Sequence, residues 1–511
     1  MGKKLALYML VAALLCGSLP AISPGQAYAA GELPNVDVAA IERYVEAQIK
    51  EADIPGAAVV VVSGDRVVYA NEFGQADREA GIPVTSSTLF ELGSTSKAFT
   101  ALAILQLEQQ GKIRLDDPVK RYIPWLELYD QGQPANVTIA QFLYQTSGVP
   151  FRTLASIPIG MGEGVLEETV RALSGTELDH RPGSKFLYAT INYDVLGLVI
   201  QQVSGMSYEH YMSQLLQQLG LKNTVPMAQL KDSGKLATGY KVAFGSNHPY
   251  NAPRYQGNTP AGYLISNVED IGQWLLLQLG AKNDLSAPHR ELIKRSHISD
   301  TSVKPNTDQS YYAAGWSVAA NGEQIWHQGS NPNYSSFFVL RPKERFGVGI
   351  MANINSAYTF QMGNGVMNLL RGHEPPPAVD DLYPMLDRIA FVVFIVLGVL
   401  VIVLASAAIR IGMQLRQRRR VFMPLKGRRS IVFAAILILA VACYWGIGKL
   451  FKGVFAGLPL DVVAVWAPIP VVWSAYALYI VGGGAFCYWL AAYLFPTTQR
   501  RVVSAPFKEV K

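Results

Sequence analysis

The pattern of apolar and polar positions divides the chain into two unlike parts. Across residues 38–370 the period changes repeatedly, as in a folded mixed domain. Residues 38–52 place Val38, Ile41, Val45 and Ile49 at helical spacing. Residues 56–63 form an unbroken small and β-branched run. Gly64-Asp65 follows as a turn and residues 66–73 alternate back, which predicts a hairpin. Residues 94–110 carry a helical pattern that Gly111 ends as a C-cap. Residues 192–203 and 208–219 also read as helices, and residues 324–327, 335–341 and 346–353 as strands. Pro342-Lys343-Glu344-Arg345 is the turn between the last two. Strands at both ends with helices between them predict an α+β fold. Its antiparallel sheet is closed by the two ends of the domain, flanked by helices, and set beside a helical region.

The last quarter has no such alternation. Residues 389–409 are uncharged and long enough to cross a bilayer, and residues 431–448 form a second such run. Residues 462–495 carry no charge, and Pro468 and Pro470 put the start of their helix near Val471. Three transmembrane helices are therefore expected, at 389–409, 431–448 and 471–495. The 410–430 loop holds Arg410, Arg416, Arg418, Arg419, Arg420, Lys426, Arg428 and Arg429 and no acidic residue. By the positive-inside bias it is cytoplasmic, as is the 496–511 tail with Arg500, Arg501, Lys508 and Lys511. The large domain then lies outside the cell. At the other end, Lys3 and Lys4 precede an apolar stretch, and Ala27-Tyr28-Ala29 fits a cleavage site, so residues 1–29 read as a signal peptide. The expected order is signal peptide 1–29, domain 30–372, proline-rich linker 373–388 with Pro375-Pro376-Pro377, then the three spans of a multi-pass cell-membrane protein.

Charge and cysteine content narrow the chemistry. The net charge is +6 over 511 residues, and much of it sits in the 410–430 loop, so no nucleic-acid partner is implied. Cys16, Cys443 and Cys487 all lie in apolar segments, which leaves the large domain without a disulfide or a cysteine nucleophile. The seven histidines show no paired spacing, and no metal or other cofactor is expected.

One short motif points to catalysis. In the string FELGSTSKAFTALAILQLEQQG, Ser94 and Lys97 are three residues apart. On a helix they share a face, so the lysine amine reaches the serine hydroxyl, and the helix start favours developing negative charge. A serine hydroxyl needs such a base to become a nucleophile. Alone, the pattern also fits an N-capping serine beside a solvated lysine.

Three further segments give the motif its context. FELGSTSK, LYQTSGVP at 143–150, PGSKFLYATINY at 182–193 followed by Leu196-Gly197, and His327-Gln328-Gly329 occur in this order. Together they resemble the class C β-lactamase and penicillin-binding-protein superfamily of S-x-x-K serine hydrolases. The resemblance implies Ser94 as nucleophile, Lys97 as base and Tyr188 as proton relay. It implies an oxyanion hole made by the backbone N–H groups of Ser94 and Ser330, the residue after Gly329. His327 stands in the third motif and orients the relay or the substrate. The third position of the Tyr-x-Asn motif is Thr190 here, which puts ordinary β-lactamase or D,D-carboxypeptidase activity in doubt. Asn192, two residues on, is expected to point elsewhere.

The order of signal peptide, hydrolase domain and three spans is similar to a narrower group. These are the prodrug-activating D-asparaginyl peptidases of nonribosomal peptide pathways, typified by the colibactin-maturation peptidase. In that resemblance Glu91, Thr190 and Asn331 bind the substrate, and a D-Asn amide is read by Glu91 and Asn331. The implied partners are a peptide or peptidoglycan-like small substrate with a D-residue, membrane lipid and an exporter. Two other readings stay open at this point. One is a cell-wall carboxypeptidase, endopeptidase, D-alanyl esterase or β-lactamase. The other is a non-catalytic β-lactam-binding sensor.

Overall fold

The computed structural model describes residues 37–281, 285–378, 380–455 and 457–497. The expected signal peptide, the cleavage site at Ala27-Tyr28-Ala29 and the tail cations Arg500, Arg501, Lys508 and Lys511 lie outside the described residues.

A single antiparallel sheet of eight strands organises the large domain. Its order is Ser310–Tyr312, Ser317–Ala319, Ile325–Asn331, Tyr334–Arg341, Phe346–Ala352, Gly56–Ser63, Arg66–Asp77 and Ile82–Pro83. The first long strand of the chain thus pairs with the last, Ala57 opposite Ala352 and Ser63 opposite Phe346. This closes the domain across almost its whole length, as the strand and helix order predicts.

The strand Gly56–Ser63 is buried at every position, which explains its lack of alternation. Ala58, Val60 and Val62 face the main core with the helices Ser96–Gln109, Asn192–Ser204 and Val268–Gln278. Ala57, Val59 and Val61 face a second core against Val38–Glu51 and Tyr358–Leu370, from opposite ends of the large domain. Helices therefore cover both faces of the sheet, and a polar residue on either face of this strand would lie in a core.

Three long apolar helices follow: Leu382–Arg416, Arg428–Val454 and Ile469–Leu494. Each contains all or nearly all of one expected run and extends beyond it. By length and composition each is able to cross a membrane. Pro470 occupies the first turn of the third, where its missing N–H costs nothing. The uncharged 462–495 run is broken at Pro468, and a short helix, Leu460–Trp466, precedes it.

The large domain rests on this bundle through a hairpin, Tyr240–Ala243 and Ser246–Pro249. The Asp387 carboxylate accepts the backbone N–H of Phe244 at 3.0 Å and of Gly245 at 2.7 Å. The Phe244 ring meets Phe391 edge-on, with centroids 5.4 Å apart, and lies against Phe394 and Trp473. Buried Lys241 donates from Nζ to the Ala464 and Val465 carbonyls, 2.8 and 2.9 Å away, at the end of the short helix. Burial pushes its pKa down to about 7.

Candidate active site

Ser94 sits in a 3-10 turn, Gly93–Thr95, that leads into the helix Ser96–Gln109. The α-helix therefore begins two residues later than the expected start at Ser94. The turn still brings the two motif residues together. Lys97 Nζ is 3.1 Å from Ser94 Oγ. It also donates to the Ala261 carbonyl at 2.7 Å and to Thr190 Oγ1 at 3.1 Å. Lys97 is fully buried, with the rings of Tyr188 and Tyr193 centred 5.2 and 5.6 Å from Nζ. A lysine so placed is no solvated surface side chain. It is a desolvated amine held between the Ser94 and Thr190 hydroxyls and the Ala261 carbonyl.

Two glycines make this geometry fit. Gly93 adopts φ +54°, and a Cβ there would lie 2.5 Å from the backbone nitrogen of Ser330. A Cβ on Gly329 would lie 2.0 Å from the Leu92 carbonyl oxygen. The nucleophile turn and the strand Ile325–Asn331 approach closely only because both positions lack a side chain. That approach sets Gly93, the residue before Ser94, against Ser330; the N–H groups of Ser94 and Ser330 are the expected oxyanion donors. A buried hydroxyl network ties the turn down. Thr95 Oγ1 donates to the Leu92 carbonyl at 2.8 Å and contacts Ser336 Oγ at 2.9 Å, and Ser336 Oγ also donates to Leu92, at 2.6 Å.

Tyr188 lies over Lys97 and within an aromatic group formed with Tyr312 and His327, each 6.3 Å away between centroids. His327 Nδ1 meets the Gln328 carbonyl at 2.8 Å, so it carries the proton. Nε2 then accepts from the Tyr312 hydroxyl at 3.0 Å. Burial pushes the His327 pKa down to about 3, and the positive Lys97 adds to this, so the ring is neutral at physiological pH. Tyr312 is a site residue that sequence reasoning did not single out. Its segment SYYAAGW has no pattern beyond an apolar strand, and only the fold lays it beside the third motif.

Glu91 and Asn331 are 240 positions apart and come into direct contact. Asn331 Nδ2 donates to Glu91 Oε2 at 2.6 Å and to the Gly262 carbonyl at 3.0 Å. Burial raises the Glu91 pKa to about 7, against the opposing effects of the Asn331 hydrogen bond and the Arg254 charge. Glu91 also forms part of the wall of a cavity of about 460 Å³, with Tyr250, Arg254, Tyr255, Tyr263 and Tyr334. Thr190 lies in the same site, on Lys97. Asn192 turns away, as expected: its amide bonds Gln145 Oε1 at 2.5 Å and Ser147 Oγ at 2.9 Å, joining two of the four motif segments. Among the described residues no cluster of His, Cys, Asp and Glu has the makings of a metal site.

Residues 41–365 match the family described as Beta-lactamase. Protein flp of Staphylococcus aureus (strain MW2) is 33% identical over 330 residues, which cover 64% of this chain and 65% of flp. Esterase EstB of Burkholderia gladioli is 32% identical over 199 residues, 36% of this chain and 50% of the esterase. Among solved structures, the octameric penicillin-binding protein homologue from Pyrococcus abyssi is 27% identical with a TM-score of 0.59. The alignment covers 69% of this chain and 81% of that one.

Proposed function

This chain belongs to the beta-lactamase family, and on that premise we propose that it is a membrane-anchored S-x-x-K serine peptidase that cleaves an amide bond next to a D-amino acid. The observation that carries the reading is the 3.1 Å approach of buried Lys97 to Ser94. Lys97, as the free amine, takes the Ser94 proton while Oγ attacks the substrate carbonyl. The Ser94 and Ser330 N–H groups hold the resulting oxyanion, preorganised by the glycine-lined approach of their two segments. Tyr188, over the lysine, relays the proton to the leaving amine, and water then hydrolyses the acyl-enzyme. Neutral His327 positions Tyr312 beside Tyr188.

The substrate proposed is an N-acyl-D-Asn prodrug cap on a nonribosomal peptide, removed during export. Its support is the Glu91–Asn331 pair in the same site. The D-Asn amide enters between them, donating N–H to Glu91 and accepting from Asn331 through its oxygen. Thr190 is committed to Lys97 and lines the same space. The partners proposed are this small peptide, membrane lipid and an exporter. The catalytic domain is placed outside the cell and the basic loop after Leu382–Arg416 inside, on the charge bias alone. Cell-wall hydrolysis is the second reading, favoured by the likeness to a penicillin-binding protein homologue.

The test is to incubate membranes bearing the full chain with N-acyl-D-Asn and N-acyl-D-Ala-D-Ala amides and to compare hydrolysis. Preferred cleavage after D-Asn, absent in Ser94→Ala, is expected. Preferred release of D-Ala would replace the prodrug reading with the cell-wall one.

A further inference from the structure

Behind the catalytic lysine lies a carboxylate that the mechanism above does not use. Asp194 is fully buried on the helix Asn192–Ser204, between Tyr193 and Val195, which are fully buried too. A lone carboxylate in such surroundings is costly unless it is paired. With the Asn258 amide oriented to donate, Nδ2 lies 2.8 and 3.1 Å from the two Asp194 oxygens. Asn258 is itself buried.

Both members of this pair are linked by short stretches of chain to the groups that hold Lys97. Four residues before Asp194 is Thr190, whose hydroxyl meets Nζ. Three residues after Asn258 is Ala261, whose carbonyl accepts from Nζ at 2.7 Å. The next residue, Gly262, gives its carbonyl to Asn331. The turn through Asn258 to Gly262 is packed tightly onto the Asp194 helix. A Cβ on Gly197 would lie 2.3 Å from Pro260 Cγ. Thr100 Oγ1 holds the Pro260 carbonyl at 2.7 Å. The turn thus touches the base and the specificity pair at once, and Asp194 anchors its first residue.

We propose that Asp194 is a positioning residue for the base: its carboxylate, held by Asn258, is the buried counter-charge for the Lys97 ammonium formed when the lysine takes the Ser94 proton. It rests on the reading of Lys97 as base. No further proton moves: Asp194 stays ionised and the lysine gains the one proton that Ser94 loses. A nearby negative charge stabilises the ammonium and strengthens the amine as a base. The Asn258 contacts favour the ionised carboxylate. Burial drives the Asp194 pKa well up, and the Lys97 charge is what opposes it. The other titratable groups facing the two residues are Tyr188, Tyr193, Tyr208, Tyr263 and His327. His327 is held neutral, and burial raises the pKa of Tyr193, Tyr208 and Tyr263.

The test is the rate at which a fluorophosphonate labels Ser94 in the detergent-solubilised full chain, followed from about pH 5 to 10. Asp194→Asn keeps the shape and still accepts from Asn258, but removes the charge. The ammonium then loses its proton more readily, so the acid limb of the profile moves to lower pH by about half a unit or more. On the acid side of the wild-type limb, labelling becomes roughly threefold faster. The swap Asp194→Asn/Asn258→Asp restores one carboxylate to the pair and returns the limb toward wild type. If Asp194→Asn does not fold, Asn258→Leu carries the test. It withdraws the donor that keeps the carboxylate ionised and moves the limb in the same direction. A limb that stays at the wild-type pH in every folded variant, whatever happens to the plateau, overturns the proposal, because a merely structural role lowers rate without moving the limb. Failure of the wild-type chain to be labelled at Ser94 would instead strike at the proposed function.

Discussion

Selectivity for D-Asn over D-Ala tests the specificity reading most directly, and the structure sets its size. A polar pocket rejects a substrate strongly when the missing group leaves its own polar atoms unpaired. Here Asn331 Nδ2 donates to Glu91 Oε2 at 2.6 Å. A D-Ala substrate therefore leaves the pair intact. A D-Asn substrate gives both amide protons to Glu91 and accepts one bond from Asn331, so it exchanges one hydrogen bond for three, a net gain of one bond to a charged group and one neutral bond, about 2–4.5 kcal/mol. The expected preference is roughly thirtyfold to two-thousandfold in kcat/KM, short of what an unpaired pocket would give. It also depends on pH. Burial raises the Glu91 pKa to about 7, so the group is protonated below that pH and ionised above it. Only the carboxylate accepts both protons of an amide NH₂. The D-Asn preference should therefore rise as pH increases through about 7, and the D-Ala rate should show no matching step. Glu91→Gln should flatten this rise and shrink the ratio toward unity. The assay is kcat/KM for N-acyl-D-Asn and N-acyl-D-Ala anilides at about one pH unit either side of neutral. A ratio that is constant with pH in wild type, or unchanged in Glu91→Gln, would refute the assignment of Glu91 to the substrate amide.

Other expectations follow from single features of the site and the membrane region. Ser94→Ala should lower hydrolysis by several powers of ten, read as turnover on the same anilides, while the thermal unfolding curve is unchanged; near wild-type turnover would remove the nucleophile assignment. Gly93→Ala places a Cβ 2.5 Å from the Ser330 nitrogen at φ +54°, so it should cost at least about a hundredfold in kcat by forcing the two oxyanion donors apart. Turnover within a few-fold of wild type would show that this approach is not catalytic. For topology, a reporter fused after Gly372 should be active outside the cell and one after Arg420 inside, because of the eight Lys and Arg from Arg410 to Arg429. External labelling of Gln417→Cys in intact cells would reverse that orientation.

Much of this protein is written locally in its sequence. The helix after Ser94 ends where Gly111 takes φ +69°, and the hairpin after Ser63 turns where Gly64 takes φ +66°. Side-chain period and turn residues act over a few positions, so they are legible without the fold. Ser94 and Lys97 belong to the same class, since three residues along a helical start fix their separation. The three apolar helices are legible because uninterrupted hydrophobicity needs no partner to be recognised.

The tertiary structure decided which distant residues share a site. Glu91 meets Asn331 because a two-residue strand and the end of a sheet strand converge beside Gly262. Tyr312 reaches His327, and Asn258 reaches Asp194, across segments whose own patterns show only strand, turn or helix. The Lys241 and Asp387 contacts that join the hairpin to the short helix Leu460–Trp466 and to the apolar helix Leu382–Arg416 are likewise set by docking. Such pairs depend on how two cores close around one sheet. Sequence separation says nothing about that closure, whereas burial makes each misplaced polar group costly enough to fix it.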